Sequence, residues 1–180
     1  MGTQTAEKKT QGGSAAQEPS KLQEKLVRRL RRLGMTVTAV ESCTGGMVAA
    51  ALTSVPGSSG VLACSLVTYC DAAKHKIVGV KKKTLKKYTA VSAQTAKEMA
   101  QGGARWAGAD CCVSVTGYAG PDSGSGEPVG LVYIGCCVKG RTKVREFHFE
   151  GDRAAVREQA VRQALLLLKK GLDRYDKKRQ

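Results

Sequence analysis

A serine that directly follows a run of β-branched and small residues, and precedes a pair of glycines, is the feature of this chain with the clearest chemical use. Residues 36–41 read as a strand, and Ser42-Cys43-Thr44-Gly45-Gly46 leads into a helix through Met47, Ala50, Ala51 and Leu52. A hydroxyl at such a corner stands outside the sheet. The amides of Thr44, Gly45 and Gly46 would lie at the positive end of the helix, where they can hold an oxyanion or a phosphate. The glycines let a ligand approach the backbone. The same residues have a plainer use, with Ser42 and Thr44 merely capping the helix, and the residues alone leave the two readings level.

A serine nucleophile needs a base. The chain has two histidines. His148 alternates with Glu146 and Glu150, opposite Phe147 and Phe149, which predicts an exposed strand face, and His75 sits beside Lys74. A Ser-His-Asp triad is therefore poorly supported, and lysine, the base of the Ser-Lys variant, fits better. A short helix beginning near Asp71 places Lys74 in its first turn. A cation there opposes the helix dipole, and burial among other cations pushes the same way, toward a neutral amine able to accept the Ser42 proton. Tyr69, at the preceding strand end, is expected to hydrogen-bond either group and to relay or orient the proton. Against this stands a solvated surface lysine in a lysine-rich stretch.

The elements that must position these groups follow from periodicity. Residues 1–19 form a polar, flexible tail. Ser20 caps a helix with Leu22, Leu26, Leu30 and Leu33 at helical spacing, ended by Gly34. Residues 62–69 read as a second strand, 81–87 as a short helix or loop, and 92–106 as a helix capped by Ser92. Residues 110–116 form a strand, followed by a Gly-rich loop over 117–126. Residues 129–138 and 143–149 form a hairpin. Asp152 caps a last helix, and a charged segment, 173–180, frays. One folded domain over 20–172 is expected, an α/β fold: a three-layer α/β/α sandwich with a mixed sheet. In such sheets the site lies at the carboxyl ends of the strands, where 42–46, 69–74 and 117–121 gather.

Composition narrows the class. The 180 residues are 42% hydrophobic but only 4% aromatic, so the core must be aliphatic. No apolar run approaches the ~18 residues of a membrane span, and no signal-peptide centre is present, so a cytoplasmic protein without membrane association is expected. Seven cysteines, with no Cys-x-x-Cys, suit small buried hydrophobes in a reducing compartment. Cys111/Cys112 and Cys136/Cys137 are strand neighbours that point to opposite faces, so neither pair forms a metal clamp. Thirty Lys+Arg against 15 Asp+Glu give a net charge of +15, which suits solvated helix faces, steering of an anionic substrate, or, less favoured without interleaved aromatics, nucleic acid.

The segment Thr38-Ala39-Val40-Glu41-Ser42-Cys43-Thr44-Gly45-Gly46 resembles the signature of the CinA C-terminal domain family. So do Pro56-Gly57-Ser58-Ser59, Val67-Thr68-Tyr69 with Lys74, Ala90-Val91-Ser92, Val115-Thr116-Gly117 with Ala119-Gly120-Pro121, Pro128-Val129-Gly130 and Gly151-Asp152-Arg153, in family order across roughly 21–170. The resemblance implies a nicotinamide-nucleotide amidase that converts nicotinamide mononucleotide to nicotinic acid mononucleotide and ammonia. It implies catalysis by Ser42, Tyr69 and Lys74, no metal or cofactor, and assembly as a homodimer. It further implies a substrate site that includes Cys43, Thr44, Gly45 and Gly46, walled by Thr116, Gly117 and Gly120. A tight turn needing small residues is the competing reading of those last three. Tyr118 and Glu127 depart from the family pattern, and Cys43 is a rival nucleophile. Two other functions stay open at this point: a catalytically inactive basic binding module, and an amidase for another anionic amide.

Overall fold

The computed structural model describes residues 21–124 and 126–178. The order is α1 (Lys21–Leu33), β1 (Val37–Glu41), α2 (Met47–Thr53), a 3-10 turn (Ser58–Gly60), β2 (Leu66–Val67), α3 (Asp71–Val78), α4 (Lys82–Tyr88), α5 (Ala93–Trp106), β3 (Cys111–Gly117), β4 (Leu131–Val138), β5 (Arg141–His148) and α6 (Arg153–Asp176). The sheet order is β2-β1-β3-β4-β5. β1 runs parallel to β2 and β3, while β3, β4 and β5 are successively antiparallel, so the sheet is mixed. The fold is α/β.

Strand alternation divides the core in two. Val37, Ala39, Cys111, Val113, Val115, Ile134 and Cys136 face α1, α2 and α6. Val40, Cys112 and Cys137 face α3 and α5, against Val78, Met99 and Ala100. The adjacent cysteines thus separate to opposite faces, as alternation requires, and all seven are free thiols. Two glycines set the second layer. A Cβ at Gly102 would meet the Val78 carbonyl oxygen at 1.7 Å, and one at Gly103 would meet Val40 Cγ2 at 2.2 Å. Only glycine lets α5 press this closely on α3 and β1, and that contact seats the helix carrying Lys74.

Three boundaries differ from the sequence expectation. The strand expected over 62–69 shrinks to Leu66–Val67. Side chains replace its ladder: Thr38 Oγ1 donates to the Cys64 carbonyl at 2.9 Å and Ser65 Oγ to the Ala39 carbonyl at 2.8 Å. The last helix does not fray at Asp173 but runs to Asp176, because Arg29 of α1 pairs with both Asp173 and Asp176. The hairpin expected over 129–138 and 143–149 instead pairs Leu131–Val138 with Arg141–His148, because it turns on Lys139 and Gly140 alone, both at positive φ (46° and 78°), the geometry that matches the twist of the strands. The tail over 1–19 and the Ser20 cap lie outside the described residues. Among the described residues, no helix is long and apolar enough to cross a membrane.

Candidate active site

The sheet order places a crevice between β1 and β3. From β1 the chain steps outward to β2, then crosses back to β3 on the other side, and ligands bind at such reversals beyond the carboxyl strand ends. Ser42 leaves β1 there, with its amide donating to the Val115 carbonyl at 3.0 Å. Gly117 leaves β3 beside it. A cleft of about 220 Å³ opens between them, and Ser42, Cys43, Tyr69, Lys74, Thr116 and Gly117 are among its walls.

Lys74 lies in the first turn of α3 and is 1% exposed, the largest fully buried side chain among the described residues. Its Nζ donates to Ser42 Oγ at 3.0 Å and to the Thr68 carbonyl at 2.9 Å. Among the described residues, no carboxylate pairs with it. Desolvation lowers its pKa below the ordinary lysine value, outweighing the attraction of Asp71, Cys70 and Cys43. The lysine is therefore not a solvated surface residue. The histidines stay away from the cleft: His75 Nδ1 is bonded to the Val80 carbonyl, and His148 sits exposed against Glu146.

The helix N-terminus after Ser42 is not the open anion site that the sequence suggests. Glu41, fully buried, turns its carboxylate onto it. Oε2 accepts from the amides of Gly46 (3.0 Å) and Val48 (3.1 Å), and Oε1 from Ala49 (2.9 Å). The Gly45 amide donates to the Ser42 carbonyl. Neither Ser42 nor Thr44 caps α2; Gly46 is its cap residue, at φ 101°, and Thr44 Oγ1 is buried without a partner among the described residues. Thr44, Gly45 and Gly46 lie outside the cleft walls, whereas Cys43, Thr116, Gly117 and Gly120 are part of them. Among the described residues, the amides of Cys43 and Thr44 have no backbone acceptor in this turn. Gly45 and Gly46 serve the chain path: both adopt left-handed φ (59° and 101°), which only glycine tolerates easily.

Tyr69 lines the cleft but bonds neither Ser42 nor Lys74. It is 61% exposed, and its hydroxyl accepts from Arg153 Nη2 at 3.1 Å. Among the described residues, no hydrogen bond joins its hydroxyl to Ser42 or Lys74. Arg153 spans the cleft mouth, its Nη1 donating to the Gly120 carbonyl at 2.7 Å. One turn on, Arg157 donates to the carbonyls of Cys43 (3.0 Å) and Thr44 (3.2 Å). The first turns of α6 thus clamp the serine turn and the 117–121 loop together. Neither arginine was assigned a role from sequence, although Arg153 stands within the Gly151-Asp152-Arg153 signature. Asp122, also unassigned, lines the cleft, as does Tyr118, whereas Glu127 does not.

Burial pushes the Cys43 thiol up to about 11, so it stays protonated and unreactive near neutrality. Thr116 is buried, and its hydroxyl is spent on the Ala90 carbonyl at 2.8 Å. A Cβ at Gly117 would meet Val132 Cγ2 at 2.6 Å and the Leu131 carbonyl oxygen at 2.7 Å, so its small size is a packing requirement. Among the described residues, no group of three or more His, Cys, Asp or Glu side chains is placed to hold a metal ion.

The sequence profile of the CinA C-terminal domain matches residues 19–172, most of the chain. The chain belongs to the CinA C-terminal domain family. A putative competence-damage inducible protein of Clostridium novyi is 49% identical over 154 residues, covering 85% of this chain and 37% of that protein. A CinA-like protein of Kosmotoga olearia is 46% identical over 152 residues, with coverage of 84% and 37%. The chain therefore spans less than two fifths of the length of these curated relatives. Among solved structures, a CinA superfamily protein from Klebsiella pneumoniae superposes with a TM-score of 0.83 at 36% identity, covering 86% of this chain and 97% of that one. A competence/damage inducible protein from Agrobacterium tumefaciens gives 0.77 at 40% identity, with coverage of 83% and 94%.

Proposed function

We propose that this CinA-family chain is an amidohydrolase that deamidates a nicotinamide mononucleotide-type substrate through a serine acyl-enzyme, with Lys74 as base. The observation that carries this reading is the 3.0 Å bond between a fully buried, cation-disfavouring lysine amine and the Ser42 hydroxyl at the wall of an open cleft. A lysine buried with no carboxylate partner among the described residues has no structural advantage over an apolar residue. Its use is chemical.

In this reading neutral Lys74 takes the Ser42 proton as Oγ attacks the carboxamide carbon. The oxyanion turns toward the Cys43 amide at the cleft wall, which has no backbone acceptor among the described residues. As the C–N bond breaks, the Lys74 ammonium returns its proton to the departing nitrogen, and ammonia leaves. Water then attacks the acyl carbon, giving its proton to Lys74, and Ser42 leaves with a proton from the same amine. Arg153 at the cleft mouth supplies positive charge for an anionic substrate, and Tyr69 beside it supplies an aromatic face. The choice of nicotinamide mononucleotide comes from the family resemblance; the presence of Asp122 and Tyr118 in the walls favours testing other anionic amides alongside it.

The experiment is ammonia release from nicotinamide mononucleotide by wild type and Ser42→Ala. Release by the wild type, lost in the variant, is expected. Equal release by both removes Ser42 as nucleophile. No release from any member of a panel of anionic amides leaves a non-catalytic binding module as the better account.

A further inference from the structure

At the end of the sheet away from the cleft, β4, β5 and the last turns of α6 enclose a second cavity of about 400 Å³, within the ~300–1,000 Å³ typical of small-molecule sites. Register fixes its remoteness. β4 begins opposite Gly117 at the cleft end and finishes with Val138 opposite Cys111, so the two cavities lie a strand length apart, on the order of 20 Å. The floor is apolar: Cys136, Val138 and Leu167, all buried, with the bare backbone of Gly171. A Cβ at Gly171 would meet Val138 Cγ2 at 2.8 Å, so this glycine lets α6 come down onto the strand.

The rim is cationic. Lys139, Arg141, Lys143, Arg174 and Lys178 surround the floor. Asp110 takes Lys139. The nearby acidic residues of α6, Asp173 and Asp176, are engaged by Arg29, and Asp173 also by Lys169. Among the described residues, Arg141, Lys143, Arg174 and Lys178 make no ion pair. The negative end of α6 accounts for cations at Arg174 and Lys178. It does not account for those on the hairpin opposite, which converge on the same opening at the cost of mutual repulsion.

We infer that this groove binds a small amphipathic anion, an apolar chain or ring of roughly decanoate size carrying one carboxylate, sulfonate or phosphate monoester, with its tail against Val138 and Leu167 and its head among Arg141, Lys143 and Arg174. A polyanion such as nucleic acid would use the rim but leave the apolar floor empty. The inference is independent of the amidase reading, since none of these residues touches the cleft.

The test uses the whole chain and two probes: 8-anilinonaphthalene-1-sulfonate, read by fluorescence, and sodium decanoate. Saturable binding of the dye with one site per chain, displaced by decanoate but not by acetate or decyltrimethylammonium, is expected. Decanoate should also raise the Tm of the wild type. The double variant Arg141→Glu/Arg174→Glu should weaken both probes at least tenfold, while Lys82→Glu/Lys86→Glu on α4 should change neither. If the double variant folds poorly, Arg141→Gln/Arg174→Gln tests the same charges with less strain. Dye binding unaffected by the rim variants would overturn the inference. So would the absence of saturable dye and decanoate binding alongside salt-sensitive oligonucleotide binding that those variants abolish.

Discussion

Replacing Glu41 by glutamine tests whether the corner that carries Ser42 is built on a buried carboxylate. In the wild type, Oε2 holds two amides and Oε1 a third, all within 2.9–3.1 Å. A glutamine whose carbonyl oxygen occupies the Oε2 position keeps the first two and turns its NH₂ toward the Ala49 amide, leaving that donor unpaired. An unpaired donor costs about 1–3 kcal/mol, and the half-shielded Ala49 belongs at the lower end. Loss of the charge weakens the two remaining bonds and removes a favourable interaction with the α2 dipole worth about 0.5–2 kcal/mol. The sum is about 2–4 kcal/mol, a large part of the ~5–15 kcal/mol by which a domain is stable. Urea unfolding followed by circular dichroism reads it directly. With a slope of ~2 kcal/mol/M, the midpoint should fall by roughly 1–2 M. Glu41→Ala, which strips all three amides of their acceptor and leaves a cavity, should fall further. A glutamine variant within ~0.5 kcal/mol of wild type, on the scale of a neutral surface change, would refute the reasoning and return the α2 N-terminus to the role of an open anion site.

Lys74→Met should keep the fold and lose about 100- to 10,000-fold in ammonia release, the usual worth of a positioned base, while wild-type kcat/KM should rise with pH as Lys74 deprotonates below the ordinary lysine range. The same shift has a stability signature. The folded pKa of Lys74 is lowered, so between the folded and unfolded values the unfolded chain binds the extra proton and wild-type stability rises with pH. The Tm of Lys74→Met relative to wild type should therefore be most favourable at low pH and decline toward the ordinary lysine pKa, and a pH-independent difference would contradict the buried amine. Arg153→Lys cannot span both the Gly120 carbonyl and the Tyr69 hydroxyl; loss of one such bond, about 1–1.5 kcal/mol, predicts a Tm lowered by roughly 2–6 °C in thermal unfolding, together with a lower kcat/KM for an anionic substrate as the cleft mouth loosens. Cys43→Ser should retain kcat/KM within about threefold, because a thiol near 11 contributes no thiolate; abolished turnover would make Cys43 the nucleophile.

Local periodicity carried much of this protein. The leucines of α1, the alternating cysteines of β3 and β4, the Ser92 and Asp152 caps, and the order of strands and helices are decided within a few residues of each position, and the α/β class follows from them. The strand-to-helix corner at Ser42 and the first-turn position of Lys74 were legible in the same way. Partners that no periodic pattern pairs, whether near or far in the chain, were not. Glu41 reads in sequence as an ordinary strand end, and only the packing of α2 over the β1 face it shares with Val37 and Ala39 turns its carboxylate onto Gly46, Val48 and Ala49. The short β2 follows from side-chain bonds by Thr38 and Ser65, which no β propensity reports. Asp173 reads as the start of a fraying end until Arg29, 144 residues earlier, is placed against it. Arg153 reaches the Tyr69 hydroxyl across 84 residues, a pairing that no local pattern reports. Short-range sequence pattern sets dihedral preferences and which face is apolar. Which charged group meets which polar group is set by how the layers dock, and here the docking of α6 and α3 onto one crevice decided the electrostatics of the site.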